Sequence, residues 1–177
     1  SLDLAQVSNP LLEAWSLKAG WSSETGLLRV ENFRSPDLQA QARLPLALGA
    51  EGLEIGDLQA DLRLDRYPLK RIGPLLGTPM DGSISASGQV RGPLQALRPD
   101  LNIAVNEPRA GTIRLVENWN GRFAGLAGGG GVLTMASVGA VVQGELEARL
   151  GANWLPNRVL LTRRGGRMEM TGTPAAY

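Results

Sequence analysis

The chain of 177 residues contains no cysteine and no histidine. Without cysteine there is no disulfide, no thiolate nucleophile and no sulfur-ligated metal site. Without histidine the commonest general base and the commonest transition-metal ligand are both missing. Charge of one sign is also lacking: Lys and Arg number 18 against 17 Asp and Glu, a net +1. Nothing in that balance favours a nucleic-acid backbone or an anionic membrane surface, and no nucleic-acid partner is expected. Aromatic residues are only 5% of the chain, so few bulky side chains are available to fill an interior. No apolar run approaches the ~18–20 residues that span a bilayer as a helix. These absences argue against an enzyme, and no motif requires a metal or other cofactor.

What the chain does have is glycine, proline and alternation. Apolar residues reach 43%, enough for a folded domain, while 23 Gly and 11 Pro argue against a helical bundle. From Asp57 to Asp65 every even position is apolar and every odd one polar. A strand turns that pattern into one dry and one wet face, whereas a helix scatters it. The pattern recurs from Asp37 to Leu48, Ser83 to Arg91 and Gln143 to Leu150, and in shorter form at Leu101–Val105, Ile113–Leu115, Val159–Leu161 and Met168–Met170. The expectation is a mainly β protein of eight to ten antiparallel strands joined by short connections.

Punctuation refines this. Asn120-Gly121 fits a tight hairpin turn, and Gly165-Gly166 reads as another. Gly125 to Gly131 is expected to be a flexible loop, and the stretch around Gly56 either bends one strand or joins two. Tyr67 to Gly77 interrupts the alternation and suits one or two helical turns. Asn9 to Gly20, with Pro10 at a first helical position and a closing glycine, is expected to be a helix, although Trp15, Leu17 and Ala19 also alternate. Short Pro-containing steps at Ser35–Ala40, Gly92–Ala96 and Gly172–Ala176 hint at a loosely repeated unit.

The run from Leu64 to Leu94 contains Pro68-Leu69-Lys70-Arg71-Ile72-Gly73-Pro74-Leu75-Leu76-Gly77-Thr78-Pro79-Met80-Asp81-Gly82, then an alternating strand, then Gly92-Pro93-Leu94. It resembles a TamB/AsmA-type repeat, in which a strand leads into a "PLxxIxPLLGxPxxG" segment, a second strand and "xGPL". The end, Arg167 to Tyr177, is similar to that family's strand followed by "GTPxAY". The match covers about a quarter of the chain. The resemblance implies an elongated antiparallel sheet curled into a half-pipe (a β-taco) with an apolar lining and one or two short helices. It implies one section, spanning 1–177, of a longer periplasmic protein anchored in the inner membrane. Its implied roles are phospholipid transport toward the outer membrane and outer-membrane protein assembly with an Omp85-type partner. It carries over no catalytic residues.

The candidate site is therefore the apolar face itself. Leu58, Leu62, Leu64, Ile84, Val90, Leu101, Ile103, Val105, Leu146, Leu150, Val159, Leu161, Met168 and Met170 are expected to line it and to meet acyl chains. The competing reading is a closed sandwich or barrel in which these side chains fill an ordinary core. The four tryptophans fall near expected turns and strand ends, as lids over the sheet or as a rim against lipid. Asp61/Asp65 and Glu145/Glu147 fall on the wet face, where nothing raises a carboxylate pKa for acid–base work. The Gly125–Gly131 run lacks the Lys-Ser/Thr end of a phosphate loop, and Arg163, Arg164 and Arg167 suit a solvated hairpin tip. Exposed strand edges leave room for a homodimer.

Overall fold

A computed structural model describes residues 2–8, 14–49, 52–114, 117–140 and 142–172. The chain forms β1 (Leu2–Ser8), β2 (Ala14–Ser22), β3 (Leu27–Arg34), β4 (Leu38–Gly49), β5 (Gly52–Ile55), β6 (Leu58–Pro68) and β7 (Met80–Gly92). It continues through β8 (Arg98–Ala110), β9 (Ile113–Arg114), β10 (Asn118–Gly125), β11 (Gly131–Val138), β12 (Gly144–Leu150), β13 (Pro156–Arg163) and β14 (Gly166–Thr171). All belong to one antiparallel sheet in which sequence neighbours are nearly always spatial neighbours. The order is β1-β2-β3-β4-β6-β7-β8-β10-β11-β12-β13-β14, with β5 on β4 and β9 on β8. The sheet is open: β1 and β14 are its two ends and do not pair with each other.

β4 is long enough to pair twice along one edge. Its first half meets β6 (Leu38 opposite Leu64) and its second half meets β5 (Leu46 opposite Ile55). Gly56 marks the join, its N–H donating to the Pro45 carbonyl at 2.8 Å. The interruption between β6 and β7 is two 3-10 turns, Leu69–Arg71 and Gly73–Leu76, stopped by Gly77 at φ 62°. Leu69 is buried there, and Arg71 lies 5.4 Å above the Tyr67 ring while bonding Asp37 at 2.8 Å. This clamp ties the crossover to the start of β4.

Two expectations fail for identifiable reasons. The described part of the Asn9–Gly20 helix, from Ala14 onward, is strand β2; residues 9–13 lie outside the described chain. The alternation of Trp15, Leu17 and Ala19 decides it, because pairing with both β1 and β3 buries one face of that segment. Asn120-Gly121 is not a turn but the middle of β10. Gly121 is there for space: a Cβ would stand 1.9 Å from the Thr134 carbonyl oxygen and 2.7 Å from Met135 Cα. Two turn boundaries also shift. The final hairpin turns at Arg164-Gly165, with Gly165 at φ 86°, and Gly166 already pairs with Arg163. Gly125 and Gly131 pair with each other, so the loop is reduced to 126–130, closed by Leu126 N–H to the Gly130 carbonyl at 3.1 Å. Among the described residues the sheet holds fourteen strands rather than eight to ten.

The apolar trough

Residues directly opposite in an antiparallel ladder point to the same side, so the register sorts every side chain onto one face or the other. One row crosses nearly the whole sheet. From β2 to β14 it runs Leu17, Phe33, Ala40, Leu62, Gly88, Leu101, Phe123, Leu133, Ala148, Val159 and Met170, each opposite the next. No polar side chain interrupts it. A second row runs Leu64, Ala86, Ile103, Gly121, Met135, Leu146, Leu161 and Met168. A third contains Ala60, Val90, Pro99 and, across β10 to β12, Gly125, Gly131 and Leu150.

All fourteen residues singled out from the sequence lie on this one face. Leu58 is opposite Gly92, and Ile84 is opposite both Tyr67 and Val105. The twelve of them from Leu58 to Leu161 are half-buried, and Met168 and Met170 on the end strand are 51% and 54% exposed. Twelve strands at ~4.8 Å spacing make a track of roughly 50 Å across the sheet.

Phase along this face is kept by bulges. In β6 the apolar side passes from Leu64 to Tyr67, three residues on, because Arg66 sits in a bulge at φ 46° with its N–H on Ser85 Oγ at 3.0 Å. In β3 it passes from Val30 to Phe33 around another irregularity. Each extra residue restores the dry side to the same face and bends the strand.

The apolar face is the better covered side of the sheet: Ala19, Ala86 and Ala148 on it are 8%, 9% and 7% exposed and Ala40, Ala42 and Ala60 are half-buried, while on the opposite face Ala104 and Ala124 are half-buried and Ala47 and Ala136 are exposed. The glycines of this face agree. A Cβ on Gly121 would strike β11, and one on Gly125 would meet Pro99 Cδ at 2.5 Å and Arg98 Cα at 2.8 Å on β8. Both neighbours of β10 therefore rise on the apolar side, and only glycine lets them approach so closely.

The trough is not sealed. No described side chain is fully buried. A closed core of this size would hold several such leucines or valines. The lids are local: Trp154, in the β12–β13 loop, tilts over Phe123 with ring centroids 6.0 Å apart, and Trp15 stacks on Phe33 at 5.6 Å. Trp119 lies over Gly144, where a Cβ would be 2.8 Å from the indole.

The opposite face is polar and laced with exposed ion pairs. Arg122 grips both oxygens of Asp100 at 2.7 and 2.6 Å, and Glu169 accepts from Arg158 at 2.8 Å and Arg167 at 2.7 Å. These bonds hold the Asp100 and Glu169 carboxyls below their ordinary pKa and raise that of Arg122. Carboxylates held in the charged form in this way are poor proton donors. Asp61, Asp65 and Glu145 are exposed, and Glu147 pairs with Arg149 at 3.0 Å. An open hollow of about 550 Å³ on this face is lined by Asn102, Asn120, Arg122, Thr134, Glu145 and Thr162, among others. No described group of three or more acidic side chains is placed to hold a metal ion. Among the described residues no helix is long and apolar enough to cross a membrane.

The sequence did not single out Trp15, Phe33, Leu133 or Met135 as lining. β3 was hidden by its bulge, and β11 by apolar residues on both faces, Val132, Ala136 and Val138 standing among polar positions. Comparison with known protein families, curated proteins and solved structures finds no match to this chain.

Proposed function

We propose that this chain is a trough that shelters the acyl chains of phospholipids, as one section of a TamB/AsmA-like envelope-spanning protein of the periplasm. The observation that carries the reading is the uninterrupted apolar row from Leu17 to Met170, open along its length. Its supporting features are the fuller cover of the alanines on that face and the half-buried state of its leucines and valines. A core exists to be filled, whereas this face has partners on its own plane and little above it. Each methylene buried against such a wall contributes ~0.8 kcal/mol, so a ~16-carbon chain gains on the order of 10 kcal/mol before ordering losses. Rungs of similar chemistry at every strand let the chain move without a deep minimum. The headgroup stays in water, and the reading assigns no catalytic residue.

The test is a photoreactive side chain placed at Leu101 or, one residue away on the other face, at Asn102. Irradiation in living cells labels phospholipid from position 101 and not from 102. Equal labelling from both, or none from 101, rejects the trough.

A second reading has its own observation. Among the described residues β14 is an edge with no further strand beside it, and its Met168 and Met170 are about half exposed. Such an edge suits β-augmentation by another chain, which fits a scaffold for outer-membrane protein assembly with an Omp85-type partner, or a homodimer. Proline at Glu169 blocks that pairing and spares lipid labelling from position 101.

A further inference from the structure

Trp119 is only 5% exposed, yet its indole Nε1–H has no acceptor. Native proteins rarely leave a covered donor unpaired. The residue lies on the apolar face, opposite Val105 on one side and Ser137 on the other. Ser137 is itself buried, and its Oγ accepts the Gly144 N–H at 2.7 Å, which leaves the hydroxyl hydrogen to be donated elsewhere. Two uncharged donors thus stand side by side in a wall that is otherwise hydrocarbon. Just beyond them Arg163, opposite Gly144, is bonded to Glu117 and marks where the wall meets water. Trp15 repeats the feature: its Nε1–H also lacks an acceptor, and it stands near the start of β2, at the same loop end of the sheet as Trp119 near the start of β10.

We infer that the Trp119–Ser137 corner binds the ester carbonyl of a glycerolipid whose acyl chains lie in the trough, an inference that rests on the proposed function. A carbonyl oxygen is the acceptor attached directly to an acyl chain, and it is uncharged. A phosphate at this spot would be desolvated against neutral donors, which disfavours it. Nε1 itself is closed to water. An acyl chain lying along the row of Ile84 and Val105, the latter opposite Trp119, brings the carbonyl at its head to this N–H as the cover over it gives way. The corner orients the lipid, with its head at this rim and its tails across the middle rows.

The experiment compares binding of a diacyl phosphatidylcholine with that of the dialkyl ether analogue of the same chain length. The full chain is expected to bind the ester lipid about five- to tenfold more tightly, the worth of a hydrogen bond or slightly more. The Trp119 indole N–H resonance moves downfield with the ester lipid only. Trp119→Phe, which keeps most of the ring, lowers ester binding to the ether level. Equal affinities in the unaltered protein, or an ester preference that survives Trp119→Phe, overturn the inference while leaving the trough intact. Failure to bind either lipid overturns the trough as well. If circular dichroism shows Trp119→Phe unfolded, the affinity ratio and the resonance of the unaltered protein decide.

Discussion

Leu62→Glu puts a charge at the centre of the continuous apolar row. The structure makes this position sensitive. Leu62 is half-buried and its partners on either side are Ala40 and Gly88, the smallest side chains available. A glutamate there stands in the open trough with no neighbour tall enough to cover it. An acyl chain, about half the ~30 Å hydrocarbon thickness of a bilayer, spans three or four strands. The substitution therefore affects chains lying over β4 to β7 and not those over β11 to β14. Loss of contact with about four methylenes amounts to ~3 kcal/mol, a ~100-fold fall in local occupancy. The assay is photolabelling by a phospholipid with a photoreactive tail, with labelled peptides mapped by mass spectrometry. Labelling of Ala60 and Val90 falls by about two orders of magnitude, and labelling of Leu161 and Met168 persists. Because Leu62 is only half-buried, the fold survives, as circular dichroism checks. Undiminished labelling around Ala60 in a folded variant refutes the reasoning.

Three further outcomes follow from the scaffold. Arg71→Ala removes both the 2.8 Å bond to Asp37, whose side chain is 21% exposed, and the stack on Tyr67. It lowers the urea midpoint by the equivalent of ~1–3 kcal/mol, and an unchanged midpoint denies the clamp. Gly121→Val forces a side chain into the 1.9 Å gap to the Thr134 carbonyl and destabilises by ~3 kcal/mol or more, whereas Gly165→Ala meets open space and costs ~1 kcal/mol for its φ of 86°. Equal effects in thermal melts contradict the close approach of β10 and β11. The Asp100 and Glu169 carboxyls are lowered in the folded state by their arginines. Their stabilisation is therefore present above the ordinary carboxylate pKa and is lost as pH falls through the lowered folded values. Glu169→Gln flattens the acid side of the stability–pH curve, and an unaltered slope contradicts the pairing with Arg158 and Arg167.

Much of the wall was legible because a period of two survives wherever a strand is regular. β4, β6, β7 and β12 each announce their dry face, and the fourteen residues drawn from such stretches share one face in the sheet. The failures come where one residue serves two structural needs. Asn120-Gly121 has turn chemistry, but the glycine answers a close approach that is visible only once β11 is in place. Asn9 to Gly20 has the termini of a helix, while its strand character lies in only three alternating residues. β3 loses its phase at a bulge, so Phe33 falls out of step with Val30 in sequence and back into step in space. The orphan donors of Trp15 and Trp119 have no signature in the chain at all, since pairing is a property of neighbours rather than of the residue.

Native mass spectrometry of the protein released gently from cells tests the central claim most directly. The account predicts phospholipid bound to the folded chain and lost from a variant with charges at Leu62 and Leu146. A lipid-free protein, or one whose bound lipid survives both charges, contradicts it.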